Sequence, residues 1–421
     1  MNITSNMASS YSPPFKIVAK YFISGIIAFI LLNILFMLNY KDISGYHFQP
    51  KILSLTHIAT LGWITMIIFG AMFQLVPVIL EVKLFSPKLS EIQFWIYLIG
   101  IMGLAYKFWY FNSFISFTVP ALLINLSIFI FIYNLIATMR TVQKWNLTGT
   151  YLTWALFYLF VTAIAGLLLA INLDHPYIKI NHLQYLNLHA HVASIGWVTM
   201  VVIGVTLKLI PMFTLSHNYK LKLAKYALIL INAGLLGIST VIHYSKTTMV
   251  NYILVSFISL GLFLFLLQVQ DILKNRIRKK FDIGIKYSIF AYTILGLTII
   301  LGFIMNFINY ESVVNFTLIY GYLIILGYIS MLIVGQMYKI VPFLVWYHKY
   351  SSKVGVEKVP LLKDMFSEKY ALIQYFLMII SLICTVVSLT FQLNFLLLFS
   401  FTLMFISSLI FATNMIKIFR S

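Results

Sequence analysis

Apolar residues fill the chain in runs of about 20 or more, the length a helix needs to cross a hydrocarbon core of roughly 30 Å. Short polar or proline-bearing breaks separate the runs. Cutting at those breaks predicts twelve spans, near 17–40, 51–80, 91–111, 114–138, 150–173, 184–213, 222–243, 250–270, 285–308, 314–345, 368–391 and 393–416. The first apolar run is too long for the core of a cleaved signal peptide and reads as a true first span. The expected fold class is therefore an all-α integral membrane protein, one membrane domain over residues 1–421.

Self-similarity then divides the domain. The second span reads THIATLGWITMIIFGAMFQLVP, the sixth LHAHVASIGWVTMVVIGVTLKLIP and the tenth IYGYLIILGYISMLIVGQMYKIVP. Gly62, Gly196 and Gly327 align, as do Met66, Met200 and Met331, then Gly70, Gly204 and Gly335, then Pro77, Pro211 and Pro342. The offsets equal four spans each time, and an even number of spans preserves direction across the bilayer. Three parallel four-helix repeats are expected, near 17–138, 150–270 and 285–416. Small residues at such spacings also let helices pack closely in lipid, which accounts for part of the glycine pattern.

Close packing does not account for the residues ahead of the glycines. Five positions before the first aligned glycine stand His57, His191 and Tyr322, and seven before stand Leu55, His189 and Tyr320. Ionisable side chains inside a span are costly and mark functional sites. His189 and His191 are about 200° apart around a helix, so one helix can serve two sites. Neutral imidazole is a good axial ligand for haem iron, and a bis-His pair holds an electron-transferring haem. Equivalent positions make His57 and His191 the expected pair, leaving His189 for a second haem or a copper ion. A buried histidine that merely hydrogen-bonds a neighbour is the plain alternative for each. His175 and His182, with Asp174, read as loop residues, and His217, His243 and His348 as interfacial ones.

Charge sets the surroundings. Only 9% of residues are charged, against about 25% in soluble proteins, which excludes a water-soluble enzyme. The 29 Lys+Arg against 10 Asp+Glu would point to nucleic acid in a soluble chain. Here the cations gather in loops after even-numbered spans, such as Arg140, Arg276, Arg278, Lys279 and Lys280, while odd-numbered loops hold little beyond Lys41, Lys51, Lys107, Lys179 and Lys246. That is the pattern of a multi-pass protein in a lipid bilayer, read as a bacterial cytoplasmic membrane, with both termini cytoplasmic and no nucleic-acid partner. All ten acids fall in loops or at span ends, so no buried carboxylate relay for proton pumping is present.

The segment HAHVASIGWVTMVVIGVTLKLIP, with its His-x-His, Gly-Trp, second Gly and Leu-x-Pro, resembles the haem-ligand helix of haem–copper oxidase subunit I, above all in C-type oxidases and nitric oxide reductases. Twelve spans and a three-fold repeat are similar too. The resemblance implies a high-spin ligand role for His189 and a low-spin pair of His191 and His57. The family carries this motif on its tenth span, whereas here Tyr320 and Tyr322 occupy that span. The family's copper ligands have no visible counterpart, since the seventh span holds only His243 at its end. NnrS-like haem- and copper-containing membrane proteins are similar in pattern, with a less close Gly-Trp segment.

The leading expectation is a haem-binding membrane protein with a bis-His b-type haem on His57 and His191, for electron transfer and as an oxygen or nitric oxide site at His189. It would draw on an electron-donor protein or partner subunit. The alternative is an NnrS-like copper- or haem-handling protein, or a metal permease, using the same histidines.

Overall fold

The computed structural model describes residues 11–44, 46–178, 182–241, 248–305 and 315–421. Among them the regular structure is helical, with twelve helices long and apolar enough to span a membrane. They are α1 (Phe15–Leu38), α2 (Pro50–Leu80), α3 (Pro87–Trp109), α4 (Thr118–Met139), α5 (Leu147–Asp174), α6 (His182–Thr214), α7 (Lys222–Val241), α8 (Met249–Lys274), α9 (Ile283–Ile304), α10 (Phe316–Lys353), α11 (Glu368–Phe391) and α12 (Asn394–Arg420). Consecutive helices pack on one another, and α12 returns to α1 to close the bundle.

Burial separates α2, α6 and α10 from the rest. In their most apolar stretches 94%, 72% and 72% of residues are buried, against 22% to 50% in the other nine helices. These three form the centre, and the exposed apolar faces of the others are what a bilayer would cover. Each central helix changes winding at the same place: Ile58–Thr65, Val192–Thr199 and Leu323–Ser330 are π-helical. A π turn closes its hydrogen bonds one residue later than an α turn, and such turns are rare and frequently found at functional sites. All three begin directly after His57, His191 or Tyr322 and contain the aligned glycine.

Hydroxyls compensate for the displaced backbone bonding. Thr199 Oγ1 donates to the Ser194 carbonyl at 2.8 Å and Ser330 Oγ to that of Ile325 at 2.7 Å, each five residues back. The glycines permit close approach by neighbours: a Cβ on Gly196 would lie 2.5 Å from Tyr158 Cγ, and one on Gly335 2.5 Å from Tyr287 Cβ.

Several ends differ from the sequence expectation, the largest being α10, which runs to Lys353 rather than 345. Residues 114–117 precede α4 rather than belonging to it, because Asp174 at the end of α5 accepts from the Phe117 and Thr118 amides at 3.0 and 2.8 Å and from both Ser116 and Thr118 hydroxyls. That carboxylate caps the helix and fixes its start at Thr118. Lys107, expected among the loop cations, lies buried within α3 and donates to the Phe111 and Ser113 carbonyls at 2.7 and 2.8 Å. It satisfies carbonyls of the loop that follows the helix.

Candidate functional site

His57 lies on α2 at the last α turn before the π segment. Its Nδ1 is 2.7 Å from the Leu53 carbonyl. A carbonyl only accepts, so the proton sits on Nδ1 and the Nε2 lone pair is left free. Phe108 of α3 stacks on the ring, with centroids 4.9 Å apart and planes 18° from parallel. This is how ligating histidines are usually held: one nitrogen tied to a carbonyl, the other presented outward.

His191 on α6 repeats the arrangement, its Nδ1 lying 2.8 Å from the Asn187 carbonyl. Its ring, however, is exposed to a cavity of about 500 Å³ bounded by α6, α7, α8, α9 and α10, together with Tyr320, Tyr328 and Thr199. His189 points elsewhere. It lines a second cavity, of about 740 Å³, with Val161, Ala165 and Leu169 of α5. Its ring lies within electrostatic range of His57 and beside the Thr162 carbonyl. Even so, His189 Nδ1 is buried without a partner of hydrogen-bond geometry, as is Thr162 Oγ1. Gly166 makes room for the ring, since a Cβ there would come 3.0 Å from His189 Cε1.

The structure thus places His189 near His57, whereas register alone pairs His57 with His191. The reason is rotational. A side chain five positions before the aligned glycine faces onward round the bundle, and one seven before faces back. His189 lies within electrostatic range of His57, and His191 shares its cavity with Tyr320. Tyr322 turns toward α11, α12 and α1, where it meets Thr385 Oγ1 at 3.3 Å and packs edge-on to Phe36.

The remaining histidines are engaged locally or peripheral. His182 Nδ1 lies 2.9 Å from Asn172 Nδ2, His348 packs on Phe15 with centroids 5.5 Å apart, and His175 and His217 are exposed. His243 lies outside the described residues. Among the described residues no three His, Cys, Asp or Glu side chains cluster as a metal-ion site.

Sequence reasoning missed Lys339, on α10, which pairs with Asp282 at 2.5 Å and sits 4.6 Å from the Phe213 ring centroid. It shares a register position with Gln74 and Lys208, a signal that the repeat alignment already carries. No protein-family model matches the chain, and no curated protein matches it.

Proposed function

We propose that the chain is a haem-binding membrane protein in which His57 and His189 hold a b-type haem for electron transfer. The observation that carries the reading is their mutual placement: two imidazoles from different central helices, within electrostatic range, one with Nε2 free and one with a buried, unpartnered Nδ1. An orphaned buried nitrogen costs about 1–3 kcal/mol unless something binds it. Bound haem would supply a one-electron couple in a dry site. The chain's own residues would tie His57 to the Leu53 carbonyl and leave space for His189 at Gly166.

The recurrence of π segments at offsets of 134 and 131 residues supports three parallel four-helix repeats. It thereby supports the likeness to the oxidase subunit, and loop charge supports cytoplasmic termini.

The test is an absorption spectrum of the purified protein, oxidised and reduced, with metal analysis. A Soret band with one iron per chain, lost in His57→Ala and in His189→Ala, is the expected result. Stoichiometric copper without haem, or a spectrum that neither substitution alters, overturns the reading.

A further inference from the structure

Lys208 on α6 and Lys339 on α10 hold the same place in the aligned segments, four residues beyond Gly204 and Gly335. Their surroundings match contact for contact. Beside α10, Gly284 of α9 lies against the Gly335 carbonyl, which a Cβ at Gly284 would meet at 2.7 Å. Beside α6, Thr148 of α5 donates through Oγ1 to the Gly204 carbonyl at 3.0 Å. Three residues further along each outer helix, Tyr287 Oη donates to the Ala371 carbonyl at 3.3 Å and Tyr151 Oη to that of Ala224 at 2.6 Å. The same count sets Asp282 against Asn146, and each caps its helix by accepting from the amide three residues on.

The two places differ by one charge. At α9 the Asp282 carboxylate pairs with the Lys339 ammonium at 2.5 Å, and Arg278 Nη1 lies 3.4 Å from it. Asn146 is neutral and supplies no such partner. Among the described residues Lys208 makes no ion pair and no hydrogen bond, and Glu81, just beyond the end of α2, makes no ion pair either. Lys208 is also exposed, although Thr206, Leu207, Leu209 and Ile210 around it are buried, whereas the Lys339 side chain is only 17% exposed.

Lys208 stands six residues before the end of α6, about 9 Å along the helix. From that depth a lysine stem can carry its ammonium to the headgroup layer, and an anion met there offsets the cost of a cation inside a span. Trp145, next to Asn146, marks the layer. It is 52% exposed, with its indole Nε1 donating to Thr150 Oγ1 at 3.0 Å, as suits a ring lying at the level of lipid headgroups. Arg140 and Lys144, exposed on the same loop, add attraction for anionic lipid.

We propose that the phosphate of an anionic phospholipid binds Lys208 in the place that Asp282 fills for Lys339, with the acyl chains in the bilayer beside α5. The protein thus supplies the anion itself at one repeat and takes it from the membrane at another. The site lies about 25 Å along α6 from His191 and does not rest on the haem reading.

The test is native mass spectrometry of the purified full-length protein in mixed micelles titrated with phosphatidylglycerol or phosphatidylcholine. One tightly held phosphatidylglycerol per chain, preferred about fivefold, is expected. Lys208→Gln should remove the preference and Lys208→Arg should keep it, while Lys363→Gln, in another loop at the same end of the bundle, should leave it unchanged. Asn146→Asp is the sharper variant: its carboxylate still caps α5, pairs with Lys208 and expels the lipid, with thermal unfolding no lower than in the native chain. Equal binding of the two lipids, an undiminished preference in Lys208→Gln or Asn146→Asp, an equal loss in Lys363→Gln, or displacement of the lipid by millimolar inorganic phosphate at constant ionic strength each overturns the proposal.

Discussion

The indole Nε1 of Trp63 on α2 donates to Ser330 Oγ on α10 at 2.9 Å, between residues 267 apart in sequence. Its counterpart Trp197 on α6 donates to Thr65 Oγ1 on α2 at 3.3 Å. Tyr328 on α10, at the same register position, faces Thr199 on α6, although its hydroxyl lacks hydrogen-bond geometry there. Aromatic donor and hydroxyl acceptor stand two residues apart on every central helix, and two of the three possible links between neighbours are hydrogen bonds. In a bilayer, apolar side chains gain little by facing protein instead of lipid. Directed polar links of this kind give the central helices a defined register.

Coupling between Trp63 and Ser330 is therefore expected. Trp63→Phe should lower stability by about 1–3 kcal/mol, through the lost hydrogen bond and the smaller ring. A double-mutant cycle with Ser330→Ala, followed by denaturant unfolding in mixed micelles, should give about 0.6–1.7 kcal/mol of interaction. Strict additivity would sink this account of the centre.

Gly196 and Gly321 should respond oppositely to alanine. A Cβ at Gly196 meets Tyr158 at 2.5 Å, and Tyr158 is itself held by Asn232 Oδ1 at 2.8 Å, so it yields poorly. Gly321 has nothing within 4 Å. Gly196→Ala should cost about 1–3 kcal/mol by overpacking, and Gly321→Ala should be neutral or gain about 0.5–1 kcal/mol from helix propensity. Thermal unfolding of the two variants in one detergent decides the matter.

The spans were legible because each run of apolar residues is about as long as a bilayer is thick, and Gly62, Gly196 and Gly327 announced the alignment. The π segments were not, since one extra residue per turn leaves no mark on an already apolar stretch. The site was half legible. His57, His189 and His191 stood out as ionisable groups in apolar surroundings, but matching equivalent positions implied that equivalent residues meet. Round a closed set of helices, equivalent positions face successive interfaces, and His191 shares its cavity with Tyr320 of the next central helix. Lys107 misled for another reason: its charge reads as loop, while its ammonium is spent on the Phe111 and Ser113 carbonyls.

Asp174 is expected to matter for structure rather than chemistry. It receives two backbone amides and two hydroxyls at the start of α4. Asp174→Ala should cost about 1–2 kcal/mol, the usual loss for a helix cap. Hydrogen exchange should quicken at Phe117 and Thr118 while distant amides in α10 stay protected. Unchanged exchange at those two amides would remove the carboxylate from this role.

Gly166 gives the sharpest handle on the proposed haem pair. It lies on α5, and a Cβ there would sit 3.0 Å from His189 Cε1, close enough that the ring must give way. Alanine asks for a shift of a few tenths of an ångström, whereas valine adds two methyls in the same space. Ligand geometry tolerates such displacement poorly, so Gly166→Val should lower haem content severalfold and Gly166→Ala should change it little. Helix content by circular dichroism should be native in both, because Gly166 faces a cavity-lining side chain rather than another backbone. His191→Ala serves as the comparison: it alters the other cavity and should leave the spectrum intact. Haem content unaffected by Gly166→Val, or lost equally in His191→Ala, would mean that the pair is not the one that faces across α2 and α6.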